Sequence, residues 1–358
     1  MTHPGITVKN FMLLLLLTGM FFPLPAQTGG TRTYRFLDLP YSSRVAALGG
    51  GVAAMPAEEL SFATANPALL SPASVRRLEM HYINYFSDIN FGSVAYAFHT
   101  PLPVMTAAGI QYVNYGRFEG TDPQGNVTGT FTAAEYIFHV TAAYVLLDSS
   151  LTVGMSLKPL LSVLERYRSF GLVADLGIAW HSHDELVTAG LVLRNVGFQL
   201  TPYVKGEREP VPFEIRAGMA ARLRHAPFRF VVTFRDLQQP DLLYPRPDDP
   251  ENPTSIYPSD KEYHGMARVA ENFMRHTVLG VEVLMGRSLL LSAGYNYRRR
   301  KELQVPPRTG MTGFSLGATL RLKKFSISYG RATYHLAGAS NHLSFATNLK
   351  NFFPGHDL

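Results

Sequence analysis

From Arg77 onward the chain is dominated by apolar and polar residues that take turns with a period of two, the spacing of strands whose two faces meet different surroundings. Tyr136, Phe138, Val140, Ala142 and Tyr144 share one face, with Glu135, His139 and Thr141 on the other. Leu151, Val153, Met155 and Leu157 oppose Thr152, Gly154, Ser156 and Lys158, and Leu172, Ala174, Leu176, Ile178 and Trp180 oppose Gly171, Asp175 and Gly177. The pattern returns from Phe213 to Arg222, from Phe228 to Arg235, from Leu289 to Arg298 and from Phe314 to Arg321. Segments of this kind centre near Met80, Ala95, Ile110, Phe138, Val153, Leu176, Leu191, Ala217, Val232, Val281, Leu291, Leu316, Ile327 and Phe345. Each is near the roughly ten residues of a tilted membrane strand, and the count predicts about fourteen strands.

Alternation alone also fits a soluble sandwich with its apolar face on a core. Three features favour lipid on that face. The opposite face is rich in Gly, Ala, Ser and Thr, where a water-exposed sheet carries Lys and Glu. Its few charges have both signs (Glu135, Lys158, Asp175, Glu214, Arg216), as a polar lumen requires if they are to pair. Tyr and Phe gather near segment ends, at Tyr82, Tyr85, Tyr96, Phe98, Tyr112, Tyr115, Tyr144, Tyr295 and Tyr297, where rings suit a water–lipid boundary. The expected fold is all-β: a closed transmembrane barrel of about fourteen antiparallel strands in a bacterial outer membrane.

The connections alternate in length. Residues 99–103, 148–150, 181–185, 224–227, 286–287 and 323–324 are short; residues 117–129, 200–212, 237–275, 299–310 and 331–340 are longer. Ser87-Asp88 and residues 164–169 are modest exceptions on the long side. Outer-membrane barrels keep short periplasmic turns and longer external loops, so both termini are expected in the periplasm.

Composition agrees. Only 17% of the 358 residues are charged, against about 25% in a soluble globular chain. There is no Cys, which excludes disulfide scaffolds, zinc ribbons, thiol nucleophiles and a lipid-anchoring cysteine. The net charge of +6 is scattered and makes no nucleic-acid stripe. Lys9, the apolar run from Phe11 to Phe22, and Pro23-Leu24-Pro25-Ala26 read as a signal peptide over 1–26. After Ala26 no apolar stretch is long enough for a membrane-spanning helix.

Residues 27–76 do not alternate over 44–74. Ala46-Ala47-Leu48-Gly49-Gly50-Gly51-Val52, then Glu58-Glu59, then Asn66-Pro67-Ala68-Leu69-Leu70 make a small, turn-rich, weakly helical string, too short for its own core. Attached to a barrel over 77–358, it is most easily buried in the lumen as a plug. This string resembles the plug of FadL-type outer-membrane barrels, with Leu48, Gly49, Gly50, Asn66, Pro67 and Ala68 on the motif and a Glu pair where an Asp pair is usual. Thr33 to Pro40, His81-Tyr82-Ile83-Asn84-Tyr85 with Ile89-Asn90-Phe91-Gly92, and Gly294 to Leu303 resemble more narrowly the PorQ-type barrels of the type IX secretion system. That resemblance implies a non-enzymatic anchor for the surface protein PorZ in a complex with PorU and PorV, near the sortase that joins cargo to anionic lipopolysaccharide. The alternative it leaves open is a FadL-like channel for hydrophobic small molecules.

Among single features, Gly49-Gly50-Gly51 lacks the spacing of a phosphate loop and reads as close packing. His181-Ser182-His183-Asp184-Glu185 reads as a solvated turn, and Asn126-Val127-Thr128 as a chance sequon. The lumen-phase carboxylates Glu135, Asp175, Glu214 and Glu282 are expected to pair with Arg216, Arg222, Arg229 or Lys158 and not to form an active site. No cofactor or metal is expected. Partner contacts are expected at Tyr203 and Lys205, at Asp241, Tyr244, Tyr257 and Tyr263 in the long Pro- and Tyr-rich connection, and at Arg298, Arg299, Arg300 and Lys301. The last run reads equally as a contact for lipopolysaccharide headgroups or as a solvated strand end. A helix is expected from Gly265 to Met274.

Overall fold

A strand with one apolar and one polar face is stable in a membrane only if its sheet closes, because an open edge would leave backbone N–H and C=O groups unpaired in hydrocarbon. The computed structural model, which describes residues 32–56, 59–87, 89–146, 150–243, 265–303, 310–335 and 338–352, shows that closure. Its strands are β1 (Arg77–Asn84), β2 (Asn90–Phe98), β3 (Met105–Thr121), β4 (Val127–Leu146), β5 (Leu151–Leu164), β6 (Tyr167–His181) and β7 (Val187–Thr201). They continue as β8 (Glu214–Arg222), β9 (Phe228–Phe234), β10 (Thr277–Met285), β11 (Leu289–Asn296), β12 (Phe314–Arg321), β13 (Phe325–His335) and β14 (Gly338–Asn348). Each pairs antiparallel with its sequence neighbours, and β1 closes on β14 from Arg77 opposite Asn348 to Asn84 opposite Asn341. Every expected segment centre falls in its own strand.

The faces also agree. Phe138, Val140, Met155, Leu176, Ile178 and Trp180 stand exposed on the outside, while Glu135, His139, Ser156, Lys158 and Asp175 are buried inside. Outward rings pair across strands, as Tyr112 does with Tyr136 (centroids 4.9 Å apart) and Tyr295 with Phe314 (4.8 Å). No helix among the described residues is long and apolar enough to cross a membrane. The barrel crosses with strands.

Two expected long loops are largely strand. β3 and β4 run on as a hairpin through residues 117–129, leaving Asp122 to accept from the amides of Gln124 and Asn126 at the turn. β13 and β14 likewise fill most of residues 331–340. Extra alternating residues beyond the apolar band still find ladder partners, and nothing in their composition signals where lipid ends. The expected helix appears as α2 (Met266–His276), and Tyr297–Leu303 forms the further helix α3. The segment expected as signal peptide lies outside the described residues.

Residues 32–56 and 59–75 hold α1 (Ser43–Ala47) and short turns at Arg35–Asp38, Leu60–Thr64, Pro67–Leu69 and Pro72–Ser74. Prolines and small residues keep the segment from becoming a strand, and it packs inside the barrel as a plug. Its motif residues show why. Asn66 caps the turn beginning at Pro67: its side chain accepts from the Ala68 amide (3.1 Å) and donates to the Ala53 carbonyl (2.7 Å). Gly49 and Gly50 have φ of +93° and +84°, a region L side chains avoid, and the Leu48–Gly49 backbone lies on Gly294 of β11 so closely that a Cβ on Gly294 would strike it.

Candidate functional site

The candidate site is the filled lumen, built where the plug meets the wall. Arg44 on α1 is 2% exposed and Glu282 on β10 is 0% exposed, so neither charge is tolerable alone. Arg44 grips Glu282 through a fork, Nε to Oε1 at 2.6 Å and Nη2 to Oε2 at 2.7 Å, and reaches Glu59 of the plug at 2.8 Å. Arg229 of β9 donates to Glu282 Oε2 at 2.8 Å. Glu79 of β1 accepts the amides of Leu60 and Ser61 at 2.9 and 2.8 Å, satisfying the open end of a plug turn. Asn296 and Arg299 donate to the Gly49 carbonyl at 3.2 and 3.3 Å, and Arg194 to that of Leu37 at 3.2 Å. The plug is held by wall groups around the circumference.

A second polar layer lies on β4 to β8. Lys158 donates to Asp175 at 2.7 Å and to Asn195 at 2.8 Å. Glu214 receives Arg216 at 2.5 Å, Arg235 at 2.9 Å and Arg194 at 3.4 Å. Three of the four lumen carboxylates thus pair with cations, as expected, though Arg222 is not among their partners. Glu135 instead accepts from the hydroxyls of Tyr115 (2.5 Å) and Ser162 (2.7 Å). Strict alternation would put Arg194 and Asn195 on opposite faces. The β6–β7 register shifts between Ala174 and Leu176, and this irregularity lets both face inward. Between the layers, Asp38, Tyr41, Gln111, His139, Lys158 and Arg194 help line a cavity of ≈ 30 Å³, room for a water or two and far too small for an organic cargo.

Toward the end with the longer connections, the inner wall turns apolar. Ile83, Phe91, Val113, Ile137, Leu160 and Val173, on β1 through β6, form a cup, and the plug's Tyr34, Phe36, Leu37 and Tyr41 fill it. Period-two reading missed this cup because it assigned the inward phase to polar groups. Its trace is doubled apolar residues such as Ile137-Phe138, Leu160-Leu161 and Leu172-Val173. Arg44 and Glu79 were also missed; a lone Arg in a string of small apolar residues was the available clue.

Among the described residues, the expected partner-binding positions differ in their settings. Tyr203 is half-buried against the cup, its hydroxyl donating to Ser162 at 2.6 Å, while Lys205 is exposed nearby. Asp241 pairs with Arg268 at 2.5 Å, and Tyr244, Tyr257 and Tyr263 lie outside the described residues. Arg298, Arg299, Arg300 and Lys301 sit on α3, not on a strand end or open loop. Arg298 pairs with Glu302 (2.6 Å) and Asp236 (2.9 Å), and Arg300 donates to the Thr312 carbonyl (3.2 Å). Lys301 lies over the Tyr297 ring at 5.5 Å. Arg299 turns inward over the Tyr334 ring at 4.0 Å and onto the plug, because one helical turn after inward-facing Asn296 returns the chain to the same face.

No family model matches the chain, and no curated protein matches it; PorQ identity has no sequence support beyond the segments quoted above. Solved structures do match. A toluene transporter of Pseudomonas putida, TodX, aligns at 12% identity and a TM-score of 0.51, over 86% of this chain and 96% of its own. A second TodX structure aligns at 12% identity and 0.50, over 89% and 100%. A FadL homologue of Pseudomonas aeruginosa aligns at 12% and 0.45, over 86% and 98%. At such identities the likeness is one of fold, and the fold shared with the TodX structures is the closed antiparallel β-barrel.

Proposed function

We propose that this barrel is a conduit for small hydrophobic molecules across the outer membrane, with residues 32–75 as its gate. The observation that carries the reading is the apolar cup on β1 through β6. Ile83, Phe91, Val113 and Ile137 give the lumen an apolar pocket where the rest of it holds ion pairs. That lining suits a site where an apolar molecule takes the place of the plug's aromatic residues. The TodX structures, named as a toluene transporter, share the fold and make monoaromatic hydrocarbons a reasonable first cargo. In this reading the resting barrel is closed and transport requires the plug to shift. Cells stripped of their own hydrophobic channels and expressing this chain should take up labelled toluene or a long-chain fatty acid with a saturable initial rate. A rate no higher than that of vector-only cells refutes the conduit.

A second reading keeps the barrel as the anchor of a surface partner, PorZ by the sequence resemblance. What favours it is the packing of α2 on α3, where Tyr297 donates to Glu271 at 2.5 Å, making a rigid platform on the long-connection side. Co-purification of PorZ from mild-detergent membranes tests it, and a barrel that elutes alone overturns it. Both readings put the termini in the periplasm and the long connections outside. Epitope tags in residues 122–126 that antibody reaches on intact cells would support that orientation, and tags reached only after lysis would reverse it.

A further inference from the structure

α2 presents its faces the wrong way round for a lid. Met266, Val269, Ala270 and Phe273 recur at the spacing of one helical stripe, and that stripe points out: Met266 is 82% exposed, Val269 64% and Phe273 55%. The opposite, polar face is the one packed on the protein. Glu271 accepts from Arg275 (3.2 Å) and Tyr297, Asn272 accepts from the Leu242 amide (2.8 Å) and donates to the Pro240 carbonyl, and Arg268 pairs with Asp241. A helix that merely covered the lumen would bury its apolar stripe and solvate its charges.

The stripe is also continuous with a surface already assigned to lipid. Phe273 lies 5.4 Å, ring to ring, from Phe234, the last of the outward series Phe228, Phe230, Val232 and Phe234 on β9. α2 runs into β10 at Thr277 with no intervening loop, so the helix ends at the rim of the wall. We infer that α2 is an interfacial helix, its polar face fastened to the barrel and its Met266–Val269–Phe273 stripe immersed in the acyl chains of the leaflet on the long-connection side. At 11 residues it is about 16 Å long from the 1.5 Å rise per residue, enough to lie in an interface and not to span one. The inference rests on the outer-membrane barrel and is independent of what, if anything, passes through it.

Because the chain has no Cys, a single thiol reports one place. Val269→Cys, labelled with an environment-sensitive fluorophore and reconstituted in phosphatidylcholine vesicles, is compared with Gln124→Cys at the β3–β4 turn and Leu316→Cys on the outer wall. The Val269 probe should emit to the blue of the Gln124 probe and be quenched about twofold by lipids bearing a nitroxide high on the acyl chain, as a shallow helix requires. Emission equal to that of the Gln124 probe would mean water, and a blue-shifted but unquenched signal would mean protein cover; either overturns the inference. An unquenched Leu316 probe would take down the membrane-spanning barrel itself, and this helix placement with it.

Discussion

Replacing Arg44 by Met should open the barrel without unfolding it. The guanidinium joins Glu59 of the plug to Glu282 of the wall, with contacts of 2.6, 2.7 and 2.8 Å in a buried site. Removing one member of a buried pair costs about 3–5 kcal/mol, chiefly because the partner charge stays behind unpaired. Glu282 keeps Arg229 at 2.8 Å, which places the loss at the low end, about 3 kcal/mol. The strands pair with one another and not through the plug, so the loss falls on plug seating. At 1.4 kcal/mol per tenfold, the unseated fraction should rise about a hundredfold. Planar-bilayer conductance reads that fraction, and heat-modifiable migration on gels confirms the barrel. The double variant Arg44→Met/Glu59→Gln leaves Arg229 and Glu282 as a balanced pair, so it should leak less than the single variant. Wild-type conductance in the single variant, or a double variant that leaks as much, would refute the ion-pair account of gating.

Gly294→Val should prevent seating by steric means, since its side chain would enter the space of the Leu48–Gly49 backbone; the plug should become protease-sensitive in a barrel that still migrates as folded. Asn66→Ala should loosen the plug's own fold, where its side chain ties the Ala53 carbonyl to the Ala68 amide, by about 1–3 kcal/mol for each buried group left unsatisfied, seen as more conductance than wild type but no change in heat-modifiability. Leu316→Lys, a charge on the lipid face, should destabilise the barrel by about 2–4 kcal/mol if it sits near the bilayer midplane, read from urea unfolding in vesicles. Burial pushes Asp241 up, but hydrogen bonds from Arg268 and the Leu243 amide and the nearby Arg275 charge outweigh it and hold its carboxyl below the usual range. A depressed group stabilises above its unfolded pKa and loses that contribution as pH falls through the folded one. Attachment of α2 should therefore survive mild acid and loosen only below the ordinary Asp range of about 3.9, as hydrogen exchange across 266–276 would show, with Asp241→Asn loosened at all pH values.

Strand number, the centre of each strand and the face most strand residues present were legible in the chain, because period-two alternation is imposed locally by the pleat and by two dissimilar surroundings. The burial of the segment around Leu48, Gly49 and Asn66 could be read too, since a piece that neither alternates nor carries its own core must borrow one. Closure decided the rest. Arg44 and Glu282 are 238 residues apart, and only the completed cylinder brings them together. The cup on β1 through β6 exists because neighbouring strands place single inward apolar residues at one height, which no window along one strand reveals. Arg299 faces the plug because a helical turn replaces a strand step after Asn296, and α2 turns its apolar stripe to lipid because its polar partners lie on the barrel. Periodicity encodes which way a side chain points. What it meets there depends on strands far away in sequence, and that was settled by the fold.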